Sequence, residues 1–253
     1  MSSTVKQSHT LFDHLLELRT RLLHAVLGVL VVFCSLVYFT QDIYQYVAQP
    51  LLTVMPADTQ MIATDVASPF FTPFKLTIVI SIFVAMPYIL YQLWSFIAPG
   101  LYKNEKRLVA PLMFGSTLLF YAGIAFAYYV VFPVVFAFFS SVAPDGVTIA
   151  TDISSYLDFV LKLFFAFGVA FEIPIAIILM CWTGVTSPDS LRAKRPYIVV
   201  AAFVVGMLLT PPDIISQTML AVPMLLLFEV GIIIASLYYR ADEDEESEPK
   251  EEQ

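Results

Sequence analysis

An all-α membrane protein crossing the bilayer six times is the fold class this sequence predicts, and three observations carry it. Hydrophobic residues make up 59% of the 253-residue chain, whose mean hydropathy is +0.81. Charged residues are only 13%, where a soluble domain carries about 25%. The apolar residues also gather into six long runs, near 21–40, 74–97, 108–139, 156–183, 196–210 and 214–237.

Residues 1–20 form a charged, amphipathic segment ahead of the first run. In "HTLFDHLLELRTRLL", Asp13, Glu17 and Arg21 recur at i, i+4, while Leu11, Leu15, Leu18 and Leu22 form an apolar stripe at helical spacing. Glu17 and Arg21 are a favourable helical pair, worth a few tenths of a kcal/mol. Arg19 falls on or beside the stripe, so its guanidinium must snorkel or find a carboxylate or carbonyl. The run that follows is too long for a signal-peptide core and no small-residue cleavage pattern follows it, which predicts a retained helix.

The connection 41–73 is long and holds Pro50, Pro56, Pro69 and Pro73, which predicts a cap over the outer helix ends. Between the second and third runs lies KNEKRL, in which one acid, Glu105, sits among three bases. Glu105 reads either as a solvated loop acid offsetting Lys103 and Lys106 or as a carboxylate for a cationic ligand. Together, Glu17 and Glu105 could accept two guanidinium forks through charge-assisted bonds, a geometry that distinguishes Arg from Lys. Spacing leaves both readings open.

Pro87, Pro133, Pro174 and Pro223 interrupt apolar runs, where each removes a backbone donor and bends the helix unless neighbours compensate. Glu172 lies within "FFAFGVAFEIPIAIILM", where an ionisable group is costly and faces protein or a watery cavity, or else is protonated and hydrogen-bonded. Its nearest charged neighbour on the run, Lys162, is about 15 Å away along a helix axis, out of direct reach. The fifth run, 15 residues, spans only about 22 Å against a hydrocarbon core near 30 Å. The short fifth and sixth helices, joined through "LTPPD", therefore predict local bilayer thinning or a protein-lined recess, unless the helix boundary is merely shifted or tilted.

Six crossings put both termini on one side, and the bases say which. Lys and Arg lie before the first run, between the second and third, between the fourth and fifth, and after the sixth; 41–73, 140–155 and 211–213 hold none. The positive-inside rule then places both termini in the cytoplasm. The body, 21–239, is close to neutral, because the tail 240–253 holds eight acids against one lysine and supplies −7 once Arg240 is set aside, of a net −8. Such a tail reads as solvated disorder.

Several functions are excluded. No basic cluster is large enough for nucleic acid. All three histidines lie in the first two dozen residues, which removes HExxH zinc sites and intramembrane Ser/His pairs, and no cofactor or metal motif is present. Cys34 and Cys181 fall near opposite ends of the predicted bundle, beyond the roughly 7 Å a disulfide spans. A non-enzymatic receptor and a proton-coupled solute transporter built around Glu172 remain; the absence of an internal repeat weakens the latter.

The stretches "HLLELRTRLL", "TDVASPFFTPFKL", "YQLWSFIAPGLYKNEKR", "YLDFVLKLFFAFGVAFEIPI", "KRPYIVVAAFVVGMLLTPPD" and "SQTMLAVPMLLLFE" closely resemble the TatC family, the polytopic core subunit of the twin-arginine translocase, across about 8–239. The resemblance implies six helices with both termini cytoplasmic, short helices 5 and 6, an extracytoplasmic cap, and residence in the bacterial cytoplasmic (inner) membrane. It implies a receptor for twin-arginine signal peptides of folded cargo, working with TatB, TatA and other TatC copies. Glu17, Arg19, Phe96 and Glu105 match the family's signal-recognition positions. Pro50, Glu172 and Asp213 match further functional positions, Glu172 for partner-helix contact and the other two chiefly structural.

Overall fold

The computed structural model describes residues 3–53, 61–97, 109–142, 151–209 and 214–247. Glu105 and Asp213 lie outside them. Every long element is a helix: α1 (Ser3–Leu36), α2 (Thr40–Leu52), α3 (Ser68–Val84), α4 (Met86–Ile97), α5 (Val109–Phe126), α6 (Phe132–Val142), α7 (Ile153–Ala170), α8 (Ile173–Trp182), α9 (Pro188–Ala193), α10 (Arg195–Leu209) and α11 (Ile214–Ser247). Four stretches are long and apolar enough to cross a membrane: His14–Leu52, Ala110–Phe138, Ile153–Trp182 and Gln217–Leu237. The pair α3 and α4, bent by 49°, qualifies as a fifth, and Arg195–Leu209 is the shorter apolar helix that the fifth run predicts.

The exposed faces fit a lipid surround. Leu22, Val26 and Leu30 succeed one another on α1 at 62, 57 and 54% exposure, and Val200, Val204 and Leu208 do so on α10. In water such stripes would be costly; against acyl chains they are neutral.

Prolines set most of the breaks. Pro87 has no N–H to return to Phe83, and the chain bends at Ala85. Before Pro133 the α5–α6 span passes through a π-helical turn, Ala127–Val131, which accommodates the ring without ending the helix. Pro174 follows the joint between α7 and α8. Pro223 breaks nothing, as Pro50 and Pro73 do not in α2 and α3: α11 runs through it and continues to Ser247. That continuation carries helical backbone into the segment whose composition predicts solvated disorder. Repulsion between like charges a turn apart costs only tenths of a kcal/mol each, too little to end a helix already propagating.

The chain forms two compact units, Met1–Gln49 with Gln60–Thr117 and Ala150–Leu157, and Pro50–Thr59 with Leu118–Ile149 and Asp158–Gln253. In the first, α1 packs on α3 and α4, with Phe33 edge-on to Phe74 at 5.3 Å. The polar residues within it are stitched to backbone: Thr77 Oγ1 lies 3.1 Å from Thr40 Oγ1 and donates to the Pro73 carbonyl, and Ser81 donates to the Thr77 carbonyl at 2.6 Å.

Part of the predicted cap belongs to this unit. Ile62 and the chain around Asp152 form an isolated parallel bridge. The Asp152 carboxylate accepts from the Thr64 amide and hydroxyl at 3.1 and 2.9 Å through Oδ1, and from the Ser155 amide at 2.9 Å through Oδ2. It thus caps the start of α7 and clamps residue 64 at once. Those bonds, the Ser155 amide first, hold its pKa down to about 2. The Tyr156 hydroxyl donates to the Val47 carbonyl at 2.9 Å in the last turns of α2.

In the second unit α8 and α10 pack on α11, and aromatic rings fill the space between the α5–α6 span and α7. Phe132 meets Phe164 at 5.0 Å and Phe126 meets Phe167 at 5.4 Å. Gly123 makes that approach close: a Cβ there would fall 2.5 Å from the Phe167 carbonyl oxygen. After α8 the chain turns at Gly184, whose φ of 70° is the left-handed value a helix C-terminus uses.

Candidate functional site

The chemistry-bearing residues of the first unit meet where α1 runs alongside α4. Leucines at 15, 18 and 22 keep an apolar stripe on α1, "MPYILYQLWSFI" is mostly apolar with a single amide, and Leu18, Leu22, Ala25, Ile89 and Leu93 line the open space between the two helices. Between them lies an apolar groove of about 120 Å³, also lined by Arg21, Gln92 and Phe96.

Polar groups rim this groove. Glu17 Oε1 accepts from Arg21 Nη2 at 2.9 Å and from Arg21 Nε at 3.2 Å, which makes the predicted i, i+4 pair real. With side chains 29% (Arg21) and 36% (Glu17) exposed, the pair is partly screened, worth about 0.3–0.5 kcal/mol. Arg21 also reaches across to α4, where its Nη1 donates to Gln92 Oε1 at 3.4 Å. Gln92 is nearly buried, at 6% exposure, so α4 packing fixes that acceptor. His14 stacks on Phe96 with ring centroids 4.2 Å apart and planes 21° off parallel, so the imidazole covers one face of the groove wall.

Three of the four residues matched to signal recognition are therefore described, all in the first unit. Glu17 and Phe96 share the groove rim, Glu17 through Arg21 and Phe96 directly. Arg19 is exposed and does not line the groove. Glu105, the fourth, falls outside the described residues.

Pro50 and Glu172 belong to the second unit. Pro50 is buried in the last turn of α2, where it has no N–H for the Tyr46 carbonyl, and its own carbonyl accepts from Thr53 Oγ1 at 3.0 Å. Glu172 is half-buried at the joint of α7 and α8, its amide on the Val169 carbonyl at 3.0 Å and its carbonyl accepting from Ala176 at 2.9 Å. The acid thus sits at a hinge in the span and not midway along a regular helix.

Sequence reasoning missed two partners. Gln92 was the lone amide in an apolar helix, a usable signal. The other is the pair of Arg195 Nη2 with Glu229 Oε2 at 2.6 Å, which ties α10 to α11. Both residues stand out in the sequence individually, but nothing in their 34-residue separation announces the pairing. Gln217 Nε2 adds a bond to the Phe203 carbonyl at 2.7 Å between the same helices.

Among known proteins, residues 13–223 match the family described as Sec-independent protein translocase protein (TatC). A protein of that name from Haemophilus influenzae is 62% identical over 242 residues, covering 96% of this chain and 94% of its own length. One from Escherichia coli is 58% identical over 235 residues, covering 93% and 91%. Two crystal structures of a twin-arginine translocase receptor, TatC, share 37% identity and cover 88% of this chain, with TM-scores of 0.79 and 0.81 over 98% and 99% of their own chains.

Proposed function

The chain belongs to the TatC family of Sec-independent protein translocase proteins, and on that premise we propose that it is the receptor and core subunit of a twin-arginine translocase. It binds twin-arginine signal peptides and nucleates the complex that exports folded proteins, without catalytic chemistry of its own. The observation that carries this reading is the carboxylate of Glu17, gripped by Arg21, which lines an apolar groove that Phe96 also lines. A guanidinium needs a planar acceptor, and an apolar neighbour of that guanidinium needs a dry surface; the groove rim offers both within one turn of α1.

Glu17 and Glu105 each take one arginine of the pair, Arg19 shapes the entry, and Phe96 packs on the bound segment. Each charge-assisted bond contributes roughly 1.5–3 kcal/mol, about tenfold or more in affinity. TatB, TatA and further TatC copies are its partners, with Glu172 facing a partner helix and Pro50 and Asp213 supporting turns on the outer side. The distribution of Lys and Arg favours a multi-pass protein of the bacterial cytoplasmic membrane with both termini inside.

The test is the affinity of the purified protein in detergent for a twin-arginine signal peptide and its twin-lysine counterpart. Wild type is expected to prefer arginine, and both Glu17→Gln and Glu105→Gln to lose that preference. Equal binding of both peptides by all three proteins would overturn the assignment.

A further inference from the structure

Arg21 spends two of its donors on a single oxygen of Glu17. Nε and Nη2 both converge on Oε1, at 3.2 and 2.9 Å, where a fork-to-fork pair would take one oxygen each. Among the described residues no donor reaches Oε2. The third nitrogen, Nη1, is held by Gln92 Oε1 at 3.4 Å from the neighbouring helix, and Gln92 itself is nearly buried. A guanidinium anchored at both ends has its plane fixed, and with it the plane of the carboxylate it grips.

We infer that Arg21 and Gln92 are positioning residues that set the arginine-over-lysine selectivity of Glu17, by locking Oε1 and presenting Oε2 alone to the incoming signal peptide. The inference rests on the receptor reading above and adds how its acid discriminates. Two physical consequences follow. The Glu17–Arg21 pair is net neutral, so it attracts a passing point charge weakly. What it offers is one directed oxygen, on which a second guanidinium can converge two N–H donors as Arg21 does on Oε1, where a freely rotating ammonium brings one. Because the carboxylate is already immobilised, the ligand does not have to freeze its rotamers, and binding strength gained this way is confined to ligands that match the fixed geometry.

Gln92 makes the device a property of two helices. Within α1 alone, Arg21 could rotate around Glu17 as solvated i, i+4 pairs do; the acceptor on α4 removes that freedom. The selectivity is thereby tied to the packing of α1 on α4, the same packing that forms the groove.

The experiment measures twin-arginine and twin-lysine peptide affinities for the full-length protein in detergent, with Gln92→Met and Arg21→Lys beside wild type and Glu17→Gln. Gln92→Met keeps the volume and removes the acceptor; Arg21→Lys keeps the charge and removes the fork. In each, the arginine-over-lysine ratio is expected to fall at least threefold, through weaker arginine binding with lysine binding unchanged or tighter, at an unchanged melting temperature. A purely structural role would weaken both peptides alike and leave the ratio alone. If wild type prefers arginine, Glu17→Gln loses the preference, and the two variants keep the wild-type ratio, the positioning role is overturned while the receptor reading stands. If wild type shows no preference, both fall. Either variant suffices should the other fail to fold.

Discussion

Replacing Gly123 with alanine tests whether the second unit depends on backbone contact between α5 and α7. A Cβ at position 123 would lie 2.5 Å from the Phe167 carbonyl oxygen and 2.9 Å from its carbon. Ordinary carbon–oxygen contacts are about 3.3 Å or longer, so the helices must part by roughly 0.8 Å. The Phe167 carbonyl cannot swing aside, because it accepts the Phe171 amide at 3.0 Å. Overpacking of this kind costs about 1–3 kcal/mol, and relief of glycine's helix penalty returns about 0.5–1. The expected net loss is about 0–2.5 kcal/mol, a fall of up to roughly 10 °C in melting temperature at about 2–4 °C per kcal/mol. Gly168→Ala is the internal comparison: its Cβ would meet the Phe120 ring at 2.7 Å, and a ring edge can tilt where a carbonyl cannot, so the loss should be smaller. Thermal unfolding in detergent, followed by tryptophan fluorescence or by retention of a monodisperse peak, reads both. A Gly123→Ala protein melting above wild type would show that the helices are not held in contact there.

Asp152 makes the loop around Thr64 acid-sensitive. Its pKa lies at about 2, below the ordinary 3.8, so its contribution is complete above 3.8 and is lost as pH falls from there to about 2. Hydrogen exchange of the Thr64 and Ser155 amides should therefore accelerate across that window in wild type and be fast throughout in Asp152→Asn; pH-independent protection in wild type contradicts the clamp. For Arg195 and Glu229, half-exposed at 48 and 39%, a double-mutant cycle with Arg195→Gln and Glu229→Gln should give a coupling of about 0.2–1 kcal/mol after screening. A coupling of zero would make the contact incidental. Glu172→Ala should weaken partner recruitment and export more than signal-peptide binding; normal export with normal recruitment sinks the partner-contact role.

Much of the architecture was legible because the evidence for it is local. The fifth apolar run read as a short helix, and α10 has that length, since length is counted along the chain. The i, i+4 relation of Glu17 and Arg21 was legible for the same reason. Boundaries were less so: the first run ends at the polar Gln41–Asp42, yet the chain continues through a short 3₁₀ turn into α2, because the polar residues there remain exposed and need not end the helix. Nor does proline content reveal which helix breaks. Pro87 and Pro174 stand at joints and Pro223 does not.

The sequence by itself determined the membrane class, the count of apolar runs, the expected sidedness and the acids worth watching, since transfer free energy and charge sum residue by residue. Tertiary structure alone decided which groups meet. Arg21 finds Gln92 across 71 positions, Arg195 finds Glu229 across 34, and the Tyr156 hydroxyl finds the Val47 carbonyl across 109. Each of those bonds forms only once packed helices have brought two distant polar groups within about 3 Å, and no periodicity along the chain encodes that distance.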